Sequence, residues 1–313
     1  MPLNSTEKAF FEQLAEEAKN NPRKSLAEMS IEEFRESAKV FNDYAGPAAD
    51  IDFEDTVILC QDGHELKARF YQCDDTVLPL LIFFPGCGYV LDLFESNHVA
   101  LSKMAKAAGC HAVLVQYRLA PEYPLPAAYN DALEATKYIF DHAGNFHADK
   151  HKIIVGGFST GGGLAAAVCQ ALKKSVNYPI FHQLLFDGLY DATLSLRDYD
   201  EFDAQDLLLT RDSLKYQLAF YTPNKSQAKD MRCSPYWSDK FHGLPSSTML
   251  LPEYSGIRSQ GEAYAKKLKD AGVAINKVIM PGQTHNTPIC RKVLNDGEDP
   301  AVVAGSALKL KFK

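Results

Sequence analysis

The pattern of apolar positions changes from a helical to a strand-like period near residue 50. Over residues 1–50 apolar side chains recur every three or four positions, and Asn4 and Ser30 are each followed three residues later by glutamate. This pattern predicts amphipathic helices that begin with capping boxes. From residue 57, two strand-like runs flank Asp62-Gly63, a pair typical of tight turns, which predicts a β-hairpin.

Beyond the hairpin, short apolar runs alternate with helical patterns. The apolar runs span 78–84, 112–117, 153–157, 183–188, 248–254 and 276–282, and the helical patterns span 130–143, 261–272 and 299–311. Wholly apolar strands that alternate with helices are typical of a parallel sheet covered on both faces. The sequence therefore predicts an α/β fold with a mostly parallel central sheet flanked by helices. Residues 188–237, rich in Tyr, Phe, Asp and Leu, interrupt the alternation and predict a helical insertion.

Composition and charge exclude several classes of function. The 313 residues carry a net charge of −7 without a Lys/Arg block, which argues against a nucleic-acid surface. No window approaches the roughly 18 apolar residues of a membrane span, and the polar N-terminus lacks the apolar region of a signal peptide. The seven cysteines are scattered, without the spacing of a metal site. We expect a cytoplasmic protein with reduced thiols and no metal.

The stretch from Gly157 to Gly161 carries the clearest chemical signal. It reads Gly-Phe-Ser-Thr-Gly, follows an apolar run and precedes a helical pattern. G-x-S-x-G in a strand–turn–helix context is typical of the nucleophile elbow, in which small flanking residues let the chain turn sharply and present the serine. Ser159 is therefore a candidate nucleophile. The alternative is a glycine-rich turn that binds a phosphate or has no ligand.

A second glycine-containing loop follows the run 78–84. It reads Pro85-Gly86-Cys87-Gly88 and resembles the HGGG loop whose backbone N–H groups stabilise the oxyanion in esterases. Because those donors belong to the backbone, a cysteine side chain need not remove them. The leading histidine of the HGGG motif, which usually organises the loop, is replaced by Pro85, so the sequence does not establish the geometry of this loop.

Together these motifs resemble the hormone-sensitive-lipase-like family of α/β-hydrolases, the bacterial carboxylesterase type. Further matches are YRLAPEYPLPAAYND (117–131), SPYWSDKFHGLPSSTMLLPEY (234–254) and the segments GIRSQGEAYAKKLKDAGV and MPGQTHNTPI. The resemblance covers roughly residues 35–310. It implies an α/β-hydrolase core over 51–187 and 238–313. It also implies a two-part lid, made of N-terminal helices over 1–50 and the insertion over 188–237.

The resemblance also implies roles for individual residues. His285, after the run 276–282, corresponds to the general base that takes a proton from Ser159. The backbone N–H groups of Cys87, Gly88 and Thr160 correspond to the oxyanion hole. Phe158 stands where the family usually has aspartate, and Gly163 where it has asparagine.

The position of the third catalytic group departs from the family pattern. The family places an aspartate after the strand that ends here at 248–254, and the corresponding residue is Ser255. A serine can orient the imidazole but cannot stabilise its positive charge with a full negative charge. A neutral amide in place of the acid costs a related triad about 10⁴ in turnover. Glu253 is an alternative acid if the strand end shifts.

The sequence thus predicts a serine hydrolase for small apolar carboxylic esters, without a cofactor. Ser159 would form the acyl-enzyme, His285 would be the base, and activity would be weak because Ser255 occupies the acid position. The main alternative is a catalytically impaired protein that binds a small ligand on the same scaffold. An acyltransferase or an amidase could use the same pair. The resemblance also allows a homodimer.

Overall fold

A single sheet organises the chain. The structure is a computed structural model and describes residues 2–21, 24–196 and 208–312. Within these ranges the sheet has eight strands in the order β1-β2-β4-β3-β5-β6-β7-β8. The strands are β1 (Asp52–Leu59), β2 (Glu65–Gln72), β3 (Leu78–Phe84), β4 (His111–Val115), β5 (Ala148–Phe158), β6 (His182–Phe186), β7 (Ser246–Pro252) and β8 (Ile275–Met280).

Helices connect the strands and precede the sheet. They are α1 (Ser5–Asn20), α2 (Ile31–Ala38), α3 (Val40–Ala45), α4 (Phe94–Ala108), α5 (Ala127–Asp141), α6 (Thr160–Leu172), α7 (Arg211–Tyr221), α8 (Arg258–Asp270) and α9 (Pro300–Lys309). In the described part of the chain, no helix is long and apolar enough to cross a membrane.

The sheet confirms the predicted fold class. β1 and β2 form the expected antiparallel hairpin, and Gly63 takes the left-handed conformation that its turn requires. β2 is antiparallel to β4, and every pairing from β4 through β3 to β8 is parallel. β4 and β6 are buried along their whole length, which requires cover on both faces.

The two predicted capping boxes have different outcomes. At Ser30 the box is present, since the Ser30 hydroxyl accepts from the Glu33 N–H while the Glu33 carboxylate accepts from the Ser30 N–H. At Asn4 the prediction is wrong. The Asn4 N–H donates to the Gly282 carbonyl, and the Glu7 carboxylate accepts from the Thr287 hydroxyl. These contacts anchor α1 to the C-terminal part of the chain instead of closing its first turn.

The predicted insertion over 188–237 lies partly outside the described residues, at 197–207. Its described part contains α7 and two short 3₁₀ turns. α7 contacts the N-terminal helices: the Tyr216 hydroxyl donates to the Met29 carbonyl over 2.8 Å, and its ring meets Phe34 edge to face. The division of the chain into core and lid segments stays a prediction.

Candidate active site

Ser159 lies in a sharp turn between β5 and α6. Its φ of 55° and ψ of −122° form a strained conformation that directs the side chain away from the end of the sheet. The neighbouring backbone leaves no room for a side chain on either flank. A Cβ on Gly157 would lie 2.2 Å from the Gly161 carbonyl oxygen, and one on Gly161 would lie 2.0 Å from that of Phe84. The glycines of the motif are thus required by the turn itself.

The structure brings Ser159 and His285 together. His285 lies in the loop after β8, and its Nε2 is 2.9 Å from the Ser159 Oγ. Both side chains are buried. This distance allows the proton transfer that activates a serine nucleophile.

The other imidazole nitrogen contacts a carboxylate that the sequence analysis missed. His285 Nδ1 lies 2.6 Å from Asp187 Oδ2, and Asp187 is fully buried. Asp187 follows β6 directly, with a φ of 41°. β5 and β6 are neighbours, and Phe158 pairs with Phe186 at their ends. Ser159 and Asp187 therefore leave the same edge of the sheet side by side, and His285 lies between them.

The Ser255 hydroxyl has a backbone hydrogen-bond partner in this arrangement. Ser255 is buried after β7, where its hydroxyl accepts a hydrogen bond from the Ile257 N–H over 3.2 Å. Glu253, the alternative acid, accepts from the Gly282 N–H over 2.9 Å. Strand order explains the position of Asp187: β6 lies between β5 and β7, so the residue after β6 is nearer to the serine turn.

A signal for Asp187 was present in the sequence. The apolar run 183–188 reads QLLFDG, with the aspartate at its carboxyl end. In parallel sheets, ligands and reactive groups gather at the carboxyl ends of the strands. Once Ser255 was found at the acid position, each aspartate at a strand end was a candidate for the missing carboxylate.

A buried hydrogen-bond network holds the loop Pro85–Gly88. The Tyr117 hydroxyl donates to the Pro85 carbonyl over 2.9 Å and lies 3.1 Å from the Thr160 hydroxyl oxygen. That same oxygen accepts from the Cys87 N–H over 3.2 Å. Tyr117 begins the YRLAPE segment. The network therefore links this segment, the loop and the residue after the candidate nucleophile.

Asn97 fixes the same loop from α4. Its side-chain oxygen accepts from the Gly86 N–H over 3.0 Å, and its amide nitrogen donates to the Gly86 carbonyl over 3.2 Å. Asn97 and Tyr117 thereby satisfy the backbone of a loop that lacks the histidine of the HGGG motif. Burial raises the pKa of the Cys87 thiol to about 11, which keeps the sulfur protonated and uncharged near neutral pH.

A cavity of about 350 Å³ opens onto Ser159 and His285. Its wall is mainly apolar and comes from the N-terminal helices, the loop after β3, the region of α7 and the loop after β8. The apolar lining includes Met29, Phe34, Phe41, Leu91, Leu93, Leu208, Leu209, Leu214 and Ile289. Gln217 of α7 reaches Gly88, since its side-chain oxygen occupies the place that a Cβ there would take. Within the described ranges, no group of histidine, cysteine or acidic side chains is arranged to hold a metal ion.

Comparison with known proteins supports the resemblance. A family model described as alpha/beta hydrolase fold matches residues 81–289. The carboxylic ester hydrolase LipN of Mycobacterium tuberculosis is 31% identical over 247 residues, which are 77% of this chain and 65% of LipN. The chain thus spans slightly less than two thirds of that relative's length. The ethyl acetate hydrolase of Pseudomonas putida is 28% identical over 290 residues, 90% of each chain.

Solved structures agree with this assignment. A thermostable esterase from Pseudomonas putida ECU1011 superposes with a TM-score of 0.89 at 26% identity, covering 100% of this chain and 98% of the esterase. A hyperthermophilic esterase from Pyrobaculum calidifontis gives a TM-score of 0.88 at 28% identity, covering 99% of each chain. The chain therefore belongs to the α/β-hydrolase family, in the hormone-sensitive-lipase-like, carboxylesterase-type group that its motifs resemble.

Proposed function

We propose that this chain hydrolyses small apolar carboxylic esters through an acyl-enzyme on Ser159. The observation that carries the proposal is the continuous hydrogen-bonded series from the Ser159 hydroxyl through the His285 imidazole to the Asp187 carboxylate. A nucleophile, a base and an orienting acid in this geometry define a serine-hydrolase triad whatever the order of the residues in the chain. Asp187 takes the role that the family pattern assigns to position 255.

The reaction would proceed in two balanced halves. His285 Nε2 removes the Ser159 proton while the serine oxygen attacks the ester carbonyl, and the backbone N–H groups of Gly88 and Thr160 donate to the oxyanion. Collapse of the tetrahedral intermediate breaks the bond to the alcohol, which leaves with the proton from His285. A water then attacks the acyl-enzyme while His285 takes its proton, and the second intermediate releases the carboxylic acid as His285 returns the proton to the Ser159 oxygen. Asp187 stabilises the imidazolium in both halves.

The Cys87 N–H has a different partner in this structure. Because it donates to the Thr160 hydroxyl, it contributes to the oxyanion site by holding the loop, unless the substrate displaces that bond. We therefore propose the N–H groups of Gly88 and Thr160 as the main hydrogen-bond donors to the oxyanion, and the N–H of Cys87 as a secondary one.

The cavity supports the choice of substrate. Its volume of about 350 Å³ suits a small ester, and its apolar wall favours hydrocarbon over charged groups. Two similar proteins have names that state carboxylic ester or ethyl acetate hydrolysis. The rival hypothesis is an impaired binding protein that lacks the acid, and the carboxylate beside His285 supports the hydrolase over this rival. A homodimer and a cytoplasmic location remain predictions.

Hydrolysis of p-nitrophenyl acetate and butyrate by the native chain and Ser159→Ala tests the proposal. We expect native turnover and its loss in the variant. A fluorophosphonate probe should label the native chain, with the adduct on the peptide that contains Ser159. A folded native chain that is neither labelled nor active would contradict the proposal, as would activity that survives in Ser159→Ala. p-Nitroacetanilide in the same assay distinguishes an amidase.

A further inference from the structure

Phe158, the last residue of β5, stacks against the imidazole of the proposed base. The ring centroids of Phe158 and His285 are 4.8 Å apart with an interplanar angle of 25°. Phe158 is 3% exposed and lines the cavity. The family pattern has an aspartate at this position, so the contact is a feature of this chain's own sequence.

The same ring contacts two other parts of the site. It meets Phe186, the residue before Asp187, at 5.5 Å and 73°. It also covers Gly86 of the oxyanion loop, where a Cβ would lie 2.4 Å from the Phe158 Cδ1. One side chain therefore packs at once against the base, the strand end that carries the acid and the loop that binds the oxyanion.

The face of the Phe158 ring is suited to the positive charge that forms on the neighbouring His285 imidazole during catalysis. An aromatic face carries negative partial charge and attracts a cation lying over it. Among the described residues, the Asp187 carboxylate contacts the imidazole, the Cys87 thiol and the Lys24 ammonium group line the same cavity, and the Glu7 carboxyl accepts a hydrogen bond from Thr287, two residues after His285. Phe158 is thus a neutral group that favours the imidazolium without competing with Asp187 for its Nδ1–H.

We propose that Phe158 is a positioning residue that fixes the plane of the His285 imidazole and stabilises its charged form during catalysis. This inference rests on the proposed function. An aspartate at position 158 has no ring to cover the imidazole face, whereas Phe158 covers it.

The test compares the native chain with Phe158→Leu and with pentafluorophenylalanine at position 158, which keeps the shape of the ring but reverses the charge of its face. The assay is the pH dependence of kcat/KM for p-nitrophenyl butyrate. We expect both variants to lose roughly threefold to thirtyfold in kcat. We also expect the acidic limb of the profile to move to lower pH by about half a unit to one and a half units, since the imidazolium forms less readily.

The fluorinated variant keeps the inference testable if Phe158→Leu does not fold. If the ring contributes only packing, the fluorinated variant will keep the native kcat and the native acidic limb of the pH profile. That result would overturn the inference. A native chain without Ser159-dependent activity would overturn the proposed function and this inference with it. An active native chain with an unmoved limb in the variants would overturn the inference alone.

Discussion

Replacing the buried carboxylate Asp187 by asparagine is the most informative change at this site. Asparagine has the same shape and tolerates the left-handed conformation of position 187, so the fold should persist. A charged pair with centres about 4 Å apart is worth roughly 4 kcal/mol at an effective dielectric constant of 20, or about 10³ in rate. The asparagine amide also favours the wrong imidazole tautomer, which makes the loss in a related triad about 10⁴. We expect kcat to fall by about 10³ to 10⁴.

Ser255 provides the matched control for this experiment. Initial rates on p-nitrophenyl butyrate would be measured for the native chain, Asp187→Asn, Ser255→Ala and Ser255→Asp. Ser255→Ala removes a hydrogen bond to the Ile257 N–H and should keep kcat within about threefold, with a small loss of stability. Ser255→Asp should not raise activity by orders of magnitude. The assignment of the acid would be refuted if Asp187→Asn stayed within tenfold of native, or if Ser255→Ala lost as much.

Two further predictions concern the supports of the site. Tyr117→Phe removes the hydroxyl that joins the Pro85 carbonyl to Thr160. We therefore expect kcat for p-nitrophenyl butyrate to fall about tenfold, with a smaller change in KM. An unchanged kcat in this variant would contradict the prediction. Burial raises the pKa of Glu7 from its ordinary value near 4.5, so the stability gained from its protonation is complete below 4.5 and is lost as pH rises through the raised value. The Tm of the native chain relative to Glu7→Gln should therefore fall from pH 4 to pH 8, and parallel Tm curves would contradict this.

The predictable parts of this molecule are those that depend on local sequence. The strand 78–84 has the predicted bounds, and the hairpin forms at Asp62-Gly63, because apolar runs and turn residues act over a few positions. The elbow at Ser159 follows from the same local logic, since two glycines allow the turn. Outcomes differ where a side chain has a distant partner. Asn4 has the sequence of a helix cap, but its side-chain amide donates to the Asp296 carbonyl across the fold.

The choice of the acid depends on distant contacts for a similar physical reason. β6 lies between β5 and β7, so the residue after β6 leaves the sheet beside the Ser159 turn. No periodicity along the chain encodes which strands become neighbours. The family pattern favoured Ser255, whereas the structure has Asp187 at 2.6 Å from the imidazole nitrogen. A carboxylate at a strand end was visible in the sequence, but its distance from His285 was not.

The departures from the family pattern at positions 158 and 255 are consistent with one change, the transfer of the acid to Asp187. Taken singly, a serine at position 255 and a phenylalanine at position 158 indicate loss of catalysis. Ser255 and Phe158 replace the two carboxylates of the family pattern, while Asp187 supplies a carboxylate beside the imidazole. Ser255 instead caps a turn through the Ile257 N–H, and Phe158 packs on the imidazole face. These substitutions therefore favour a relocated acid over a lost one, which the rates of Asp187→Asn and Ser255→Ala distinguish directly.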